Sequence, residues 1–335
     1  MTGSAGKNGP VGNAQQILSL LRSHNARDDR RFLSVATQLA EEAVKKGHIR
    51  VAQEMRDLIA EARSQIGALE LSRDPIPLAK PRGELAGILS ASFPRLKLND
   101  LVLPPRLAAR LAKLVREQLE RARLGDFGLS PRRKILLSGP PGTGKTMTAA
   151  AIAGELNYPL FTIQLDGLIT KFMGETAAKL RLVFDAMTST RGVYFFDEVD
   201  ALATSRVVGN DVGEARRVLN SLLQFLDEDK SSSLILAATN HPELLDRAVF
   251  RRFDTQLKFE LPERDLIQPL FEMHLLAFEL DGLNWPEILQ AAEGMSPADL
   301  ASAAQDAARD AVLEHGGVMS SELILGAIAE RRHDH

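Results

Sequence analysis

The chain has 335 residues, 44% of them apolar and 25% charged, with a net charge of −3 and no cysteine. These values suit two or three globular units with full-sized cores. They exclude disulfides, thiolate nucleophiles, Cys-ligated metal sites and a strongly basic nucleic-acid footprint. No apolar run is long enough to span a bilayer, so the expected location is the cytoplasm.

Residues 1–12 are rich in Gly and polar residues, and read as a disordered tail. Across residues 13–71, apolar side chains recur at helical spacing, for example Phe32, Val35, Ala36, Leu39 and Ala43, then Val51, Met55, Leu58 and Ile59. Three short amphipathic helices packed as a bundle are expected there. Residues 72–95 carry Pro75, Pro77, Pro81 and Pro94 and read as a stiff linker, with a short helical piece near 84–90. From 96 to 262 the texture alternates. Apolar strand-like runs at 134–137, 160–165, 192–196, 233–238 and 255–259 are mostly separated by helical stretches. That pattern predicts an α/β unit with a five-stranded parallel sheet and helices on both faces. Residues 263–335 show helical periodicity only, and Ser296 before Pro297 marks a helix start.

Four segments carry candidate chemistry. Gly139-Pro140-Pro141-Gly142-Thr143-Gly144-Lys145-Thr146 matches the P-loop pattern G-x-x-x-x-G-K-[ST]. Its glycines let backbone N–H groups approach phosphate, and the helix that begins near Met147 adds its positive end. Lys145 would reach the β- and γ-phosphates of ATP, and Thr146 would ligate Mg²⁺. In the second segment, the apolar strand Val193-Tyr194-Phe195-Phe196 ends in Asp197-Glu198. Two acids there suit a magnesium ligand, Asp197, and a base for the attacking water, Glu198. The alternative is a strand that ends in solvated acids. The third is Asn240, which follows the apolar strand Leu236-Ala237-Ala238. It either holds the γ-phosphate or its water, or caps a turn before Pro242. The fourth is Arg251-Arg252, which either neutralises transition-state charge or forms a solvated basic turn.

In this order, the loop, Phe195-Phe196-Asp197-Glu198, Ala237-Ala238-Thr239-Asn240 and Arg251-Arg252-Phe253-Asp254 resemble the AAA family of ATPases in its strict sense. The resemblance covers about residues 96–313 and is nearest to single-module bacterial members. It implies a P-loop NTPase fold, and makes residues 263–335 a helical lid. ATP and Mg²⁺ are the implied cofactors. Asp100, His274 and Ala298 are implied nucleotide contacts beside residues 139–147. Arg251 and Arg252 are implied to act on a neighbouring subunit's nucleotide in a homo-oligomeric ring, most often a hexamer. Lys171-Phe172-Met173 resembles the loop that grips a polypeptide in the central channel. The implied work is remodelling, unfolding or threading of a protein, recruited directly or through an adaptor by residues 13–71. A separate protease is one implied partner, because no HExxH segment occurs. A nucleic-acid motor or loader and an ATP-state signalling switch are the alternatives. The acidic charge and Phe172 weigh against the first, and Glu198 against the second. Two departures stand out. Asn99-Asp100 is followed by Leu101-Val102-Leu103 rather than a glycine pair, and Asp227-Glu228-Asp229-Lys230 replaces an Asp-Gly-Phe-like segment.

Overall fold

The computed structural model describes residues 83–165, 175–201 and 212–333, with isolated positions between 36 and 55. The chain divides into two compact units, Met1–Pro77 and Leu78–His335. In the first, Ala36, Leu39, Ala40 and Ala43 are helical and buried, and residues 51–53 are helical. The expected tail and most of the expected bundle lie outside the described residues.

The second unit is built on one sheet. Its strands are β1 (Leu89–Ser92), β2 (Lys134–Ser138), β3 (Leu160–Ile163), β4 (Val193–Phe196), β5 (Leu234–Thr239) and β6 (Thr255–Lys258). The spatial order is β1-β3-β4-β5-β2-β6. Among the described residues, the expected count of five strands is therefore corrected to six. The additional strand, β1, pairs antiparallel with β3, while every other neighbouring pair is parallel. Leu-Ser-Ala-Ser carries little apolar signal because β1 is an edge strand with one ladder to fill. It sits in the Pro-rich stretch, between the 3-10 turn Gly83–Gly87 and Pro94.

Strands β2 to β5 are largely apolar because both faces of the sheet are covered there, whereas β6, at the edge, buries only Leu257. Successive side chains alternate between two cores. Leu136, Tyr194, Phe196, Ile235 and Ala237 face one cluster, under helices α4 (Glu175–Ser189) and α5 (Val212–Glu228). Ile135, Leu137, Val193, Phe195, Leu234 and Leu236 face the other, under α1 (Pro105–Leu119) and α3 (Lys145–Leu156). A short helix, α2 (Arg121–Asp126), follows α1. In α1, Leu107, Leu111, Leu114 and Val115 form one buried stripe, and Pro105 occupies the first turn, where no backbone donor is missed. Truncating a fully buried ring such as Phe195 costs about 3–5 kcal/mol.

Beyond the short helix α6 (Arg247–Phe250) and β6, the chain is helical: α7 (Arg264–His274), α8 (Trp285–Ala292), α9 (Pro297–Glu314) and α10 (Ser321–His333). They enclose a third core around Ile267, Phe271, Leu300, Ala304 and Ile324. Ser296 opens α9 with a capping box, its hydroxyl accepting the Asp299 N–H at 3.2 Å. Residues ahead of α1 touch both parts of the unit. Val102 packs against the helical core and Leu103 against the sheet core beneath α3.

Candidate active site

The carboxyl ends of β2, β4 and β5 meet at one edge of the sheet, where the strand order leaves a crevice for ligands. The loop of residues 139–144 leaves β2 there and turns into α3. Two of its glycines are required by space. A Cβ on Gly139 would lie 2.1 Å from the Phe259 carbonyl oxygen, and one on Gly142 would lie 2.4 Å from the Ser296 hydroxyl. Gly142 also has φ +74°, in the left-handed region. The loop is tied on both sides: the Gly139 N–H donates to the Thr239 carbonyl at 3.2 Å, and the Gly142 carbonyl accepts the Ala298 N–H at 3.1 Å. The start of α9 therefore rests directly on the loop.

Lys145 is buried, and its ammonium donates to the carbonyls of Gly139 at 2.8 Å and Pro140 at 2.7 Å. Burial pushes its pKa down, opposed by the nearby carboxylates of Asp197, Asp200 and Glu198. Thr146 donates its hydroxyl to Asp197 Oδ2 at 3.0 Å, bringing together residues 51 positions apart. The other Asp197 oxygen accepts the Glu198 N–H at 3.0 Å. Glu198 has φ +52°, a costly conformation for a residue with a side chain. The next turn is pinned to β5: the Val199 N–H donates to the Ala238 carbonyl at 2.9 Å, and buried Asp200 accepts the Asn240 N–H at 3.2 Å. Glu198 and Asn240 are thereby held on adjacent strand ends.

These groups line one end of a cavity of about 360 Å³, a size suited to a small cofactor. Its polar end holds Lys145, Thr146, Asp197, Glu198 and Asn240, and loop residues 141–144 and Met147 form its floor. Its apolar end holds Leu101, Val102, Leu103, Leu270, Met273 and Ala298, with His274 beside them. Burial lowers the His274 pKa, so the imidazole is neutral at neutral pH. That lining suits a ligand with a charged phosphate tail and a less polar group at its other end.

Some expected contacts lie elsewhere. Asp100 does not line this cavity; its carboxylate accepts the Lys97 N–H at 2.7 Å, and the next three residues form the wall. The apolar run 101–103 was visible in the sequence as a departure from the glycine pair. Leu270 and Met273 lie at i and i+3 on α7 and carried no separate signal. Gly139 and Pro140 bind Lys145 rather than line the cavity. Lys171, Phe172 and Met173 lie outside the described residues.

Arg251 and Arg252 are not at this edge. They follow α6 and precede β6, and the Asp254 N–H donates to the Lys134 carbonyl at the start of β2. Because β2 and β6 are parallel, the arginines sit at the amino edge of the sheet. The loop lies at the carboxyl edge, roughly 15–20 Å away at ~3.3 Å per residue.

The sequence profile of the ATPase family associated with various cellular activities (AAA) matches residues 135–261. The AAA family ATPase y4kL of Sinorhizobium fredii is 36% identical over 249 residues, which is 74% of this chain and 74% of that protein. ATP-dependent zinc metalloprotease FtsH 4 of Sphaerobacter thermophilus is 34% identical over 231 residues, covering 67% of this chain but 35% of that one. The proteasome-activating nucleotidase of Methanoregula boonei is 34% identical over 217 residues, 62% of this chain and 50% of that one. Among solved structures, the FIGL-1 AAA domain superposes with a TM-score of 0.58 at 25% identity, covering 77% of this chain and 92% of that one.

Proposed function

The chain belongs to the AAA family of ATPases and hydrolyses ATP, and we propose that it does so as a ring, most simply a hexamer, that remodels or threads a protein substrate. The supporting observation is the split between the two sheet edges. The carboxyl edge gathers a phosphate loop, two acids and an amide, while the paired arginines stand roughly 15–20 Å away at the amino edge. They reach a nucleotide only if it belongs to a neighbour.

In this reading the loop amides bind the phosphates, and Lys145 exchanges the Gly139 and Pro140 carbonyls for phosphate oxygens. The apolar end takes the adenine between residues 101–103 and α7, with His274 alongside. Thr146 and Asp197 present two hard oxygen donors within 3.0 Å of each other, a fit for Mg²⁺, which when bound neutralises charge on the phosphates. Glu198 accepts a proton from water as the water oxygen attacks the γ-phosphorus and the bond to the β-phosphate oxygen breaks. Asn240 orients that water or the γ-phosphate. Helices α7–α10 act as a lid, because Ala298 donates its N–H to the loop and α7 lines the cavity.

The protein-directed role is supported by similarity to an ATP-dependent metalloprotease and to a proteasome-activating nucleotidase. Within it, Lys171, Phe172 and Met173 grip the polypeptide, residues 13–71 recruit it or an adaptor, and a protease acts as a separate chain. No helix among the described residues is long and apolar enough to cross a membrane.

The test mixes two inactive variants, Glu198→Gln and Arg251→Ala. Rings assembled from both contain some complete sites, so the mixture should hydrolyse ATP faster than either alone. Mixed rings with no gain in rate would refute action across the subunit boundary.

A further inference from the structure

The segment that carries the paired arginines is fixed at three points, and the ties treat its two guanidiniums differently. At its start, the Asp246 carboxylate accepts the Ala248 N–H at 3.0 Å. At its end, one Asp254 oxygen accepts the N–H groups of both Arg133 at 2.7 Å and Lys134 at 2.9 Å. Between them, Val249 and Phe253 are buried in the sheet core, and Phe250 packs against it. Arg252 supplies the third tie. Its Nε donates to Asp227 Oδ2 at 3.1 Å, and one Nη donates to the Ala248 carbonyl at 3.0 Å. Its side chain is only 31% exposed. Arg251 is exposed, and its side chain forms no hydrogen bond or ion pair among the described residues.

The acceptor for Arg252 lies at the end of α5, in the acidic stretch 227–230. The same stretch is locked to β2, since Asp229 accepts from Arg133 at 2.8 Å. Turn, α5 and β2 are thus joined through Arg252–Asp227, Arg133–Asp229 and Asp254. The Arg252–Asp227 pair is too exposed to matter much for stability. What it fixes is geometry, since it ties the turn at residue 252 to the end of α5 and to the Ala248 carbonyl.

We infer that Arg252 is a positioning residue anchored on Asp227, and that Arg251 alone contacts the neighbouring subunit's nucleotide. This rests on the reading that arginines act across the subunit boundary. A mispositioned guanidinium weakens the transition state rather than ground-state binding, so the loss falls on kcat.

The experiment measures kcat, KM for ATP, ring assembly and melting temperature in the full-length protein. Arg251→Ala should lower kcat roughly 100-fold or more. Asp227→Ala should lower kcat about tenfold with KM and melting temperature unchanged. Arg252→Gln keeps a neutral donor for Asp227 while removing the charge, and should stay within about threefold of wild type. The pair Asp227→Arg with Arg252→Asp restores the ion pair in reverse and should recover most of the activity that Arg252→Asp alone loses. An Arg252→Gln protein as inactive as Arg251→Ala would overturn the division of labour, as would Asp227→Ala at the wild-type kcat. An Arg251→Ala protein at the wild-type rate would instead remove the cross-subunit reading on which the inference stands.

Discussion

The two edges of the sheet are built from the same strands yet solve opposite problems. At the carboxyl edge, strand ends, a tight loop and the start of α9 converge until little freedom remains. Gly139 has no room for a methyl group, one on Gly142 would strike the Ser296 hydroxyl, and Asp197 holds Thr146. At the amino edge, the turn of residues 247–254 is anchored by acids and buried rings but leaves Arg251 facing solvent. A site that binds a small cofactor is preorganised within the chain. Arg251, proposed to serve a neighbour, is held at its base and free at its tip.

Substitutions at either edge can break the contrast or sharpen it. The largest effect belongs to Glu198→Gln, which removes the proton acceptor while preserving shape. Phosphate release should fall by ~10²–10⁴-fold with nucleotide binding retained in a fluorescence titration. Hydrolysis at the normal rate would show that the carboxyl edge does its chemistry without this acid. Next is Gly139→Ala, whose methyl meets the Phe259 backbone, an obstacle that cannot swing aside. Denaturant unfolding should show a loss of about 2–4 kcal/mol. The matching change at the amino edge, Asp254→Ala, exposes two N–H groups that water can satisfy, so about 1 kcal/mol is expected. Equal losses at the two edges would erase the difference in rigidity. Ser296→Ala, which deletes the cap of α9, should cost about 1 kcal/mol, read as a drop in melting temperature of about 2–4 °C.

The smallest effect is one of pH. Burial depresses the His274 pKa below its ordinary value of 6.5, so the folded protein resists protonation there more than the unfolded chain does. Its contribution is complete above about pH 6.5 and is lost as pH falls through the depressed folded pKa. Replacement by Gln should flatten that part of the stability curve; an unchanged slope in acid would show that His274 is not its source.

Much of the carboxyl edge was legible in the sequence because its chemistry is local. The loop of 139–146 needs its glycines, lysine and threonine at fixed spacing, and β4 and β5 announce themselves by apolar runs ending in Asp197-Glu198 and Asn240. The continuous hydrophobicity of β2, β4 and β5 likewise implied a parallel sheet covered on both faces. Less was legible where a residue's role depends on what folds against it. Strand β1 is short and small-sided, and only its ladder with β3 makes it a strand. Asp100 stood out as an acid and the apolar run after it only as a departure from the glycine pair, yet it is the run, and not Asp100, that forms the cavity wall.

The sequence by itself determined the fuel and the fold class, because phosphate binding and sheet burial impose residue types at short, regular spacings. Tertiary structure alone decided which end of the sheet each group occupies. Lys145 and Arg251 are both cations in motif-like segments, and nothing in their local sequence says that one lies in the crevice and the other at the far edge. That follows from β2 and β6 running parallel, with the loop after one and the arginines before the other. Nor does spacing reveal that Arg252 is bound to Asp227, 25 positions earlier, while its neighbour Arg251 is left exposed. Adjacent side chains on a turn point in different directions, and only the packing around them settles which one remains free.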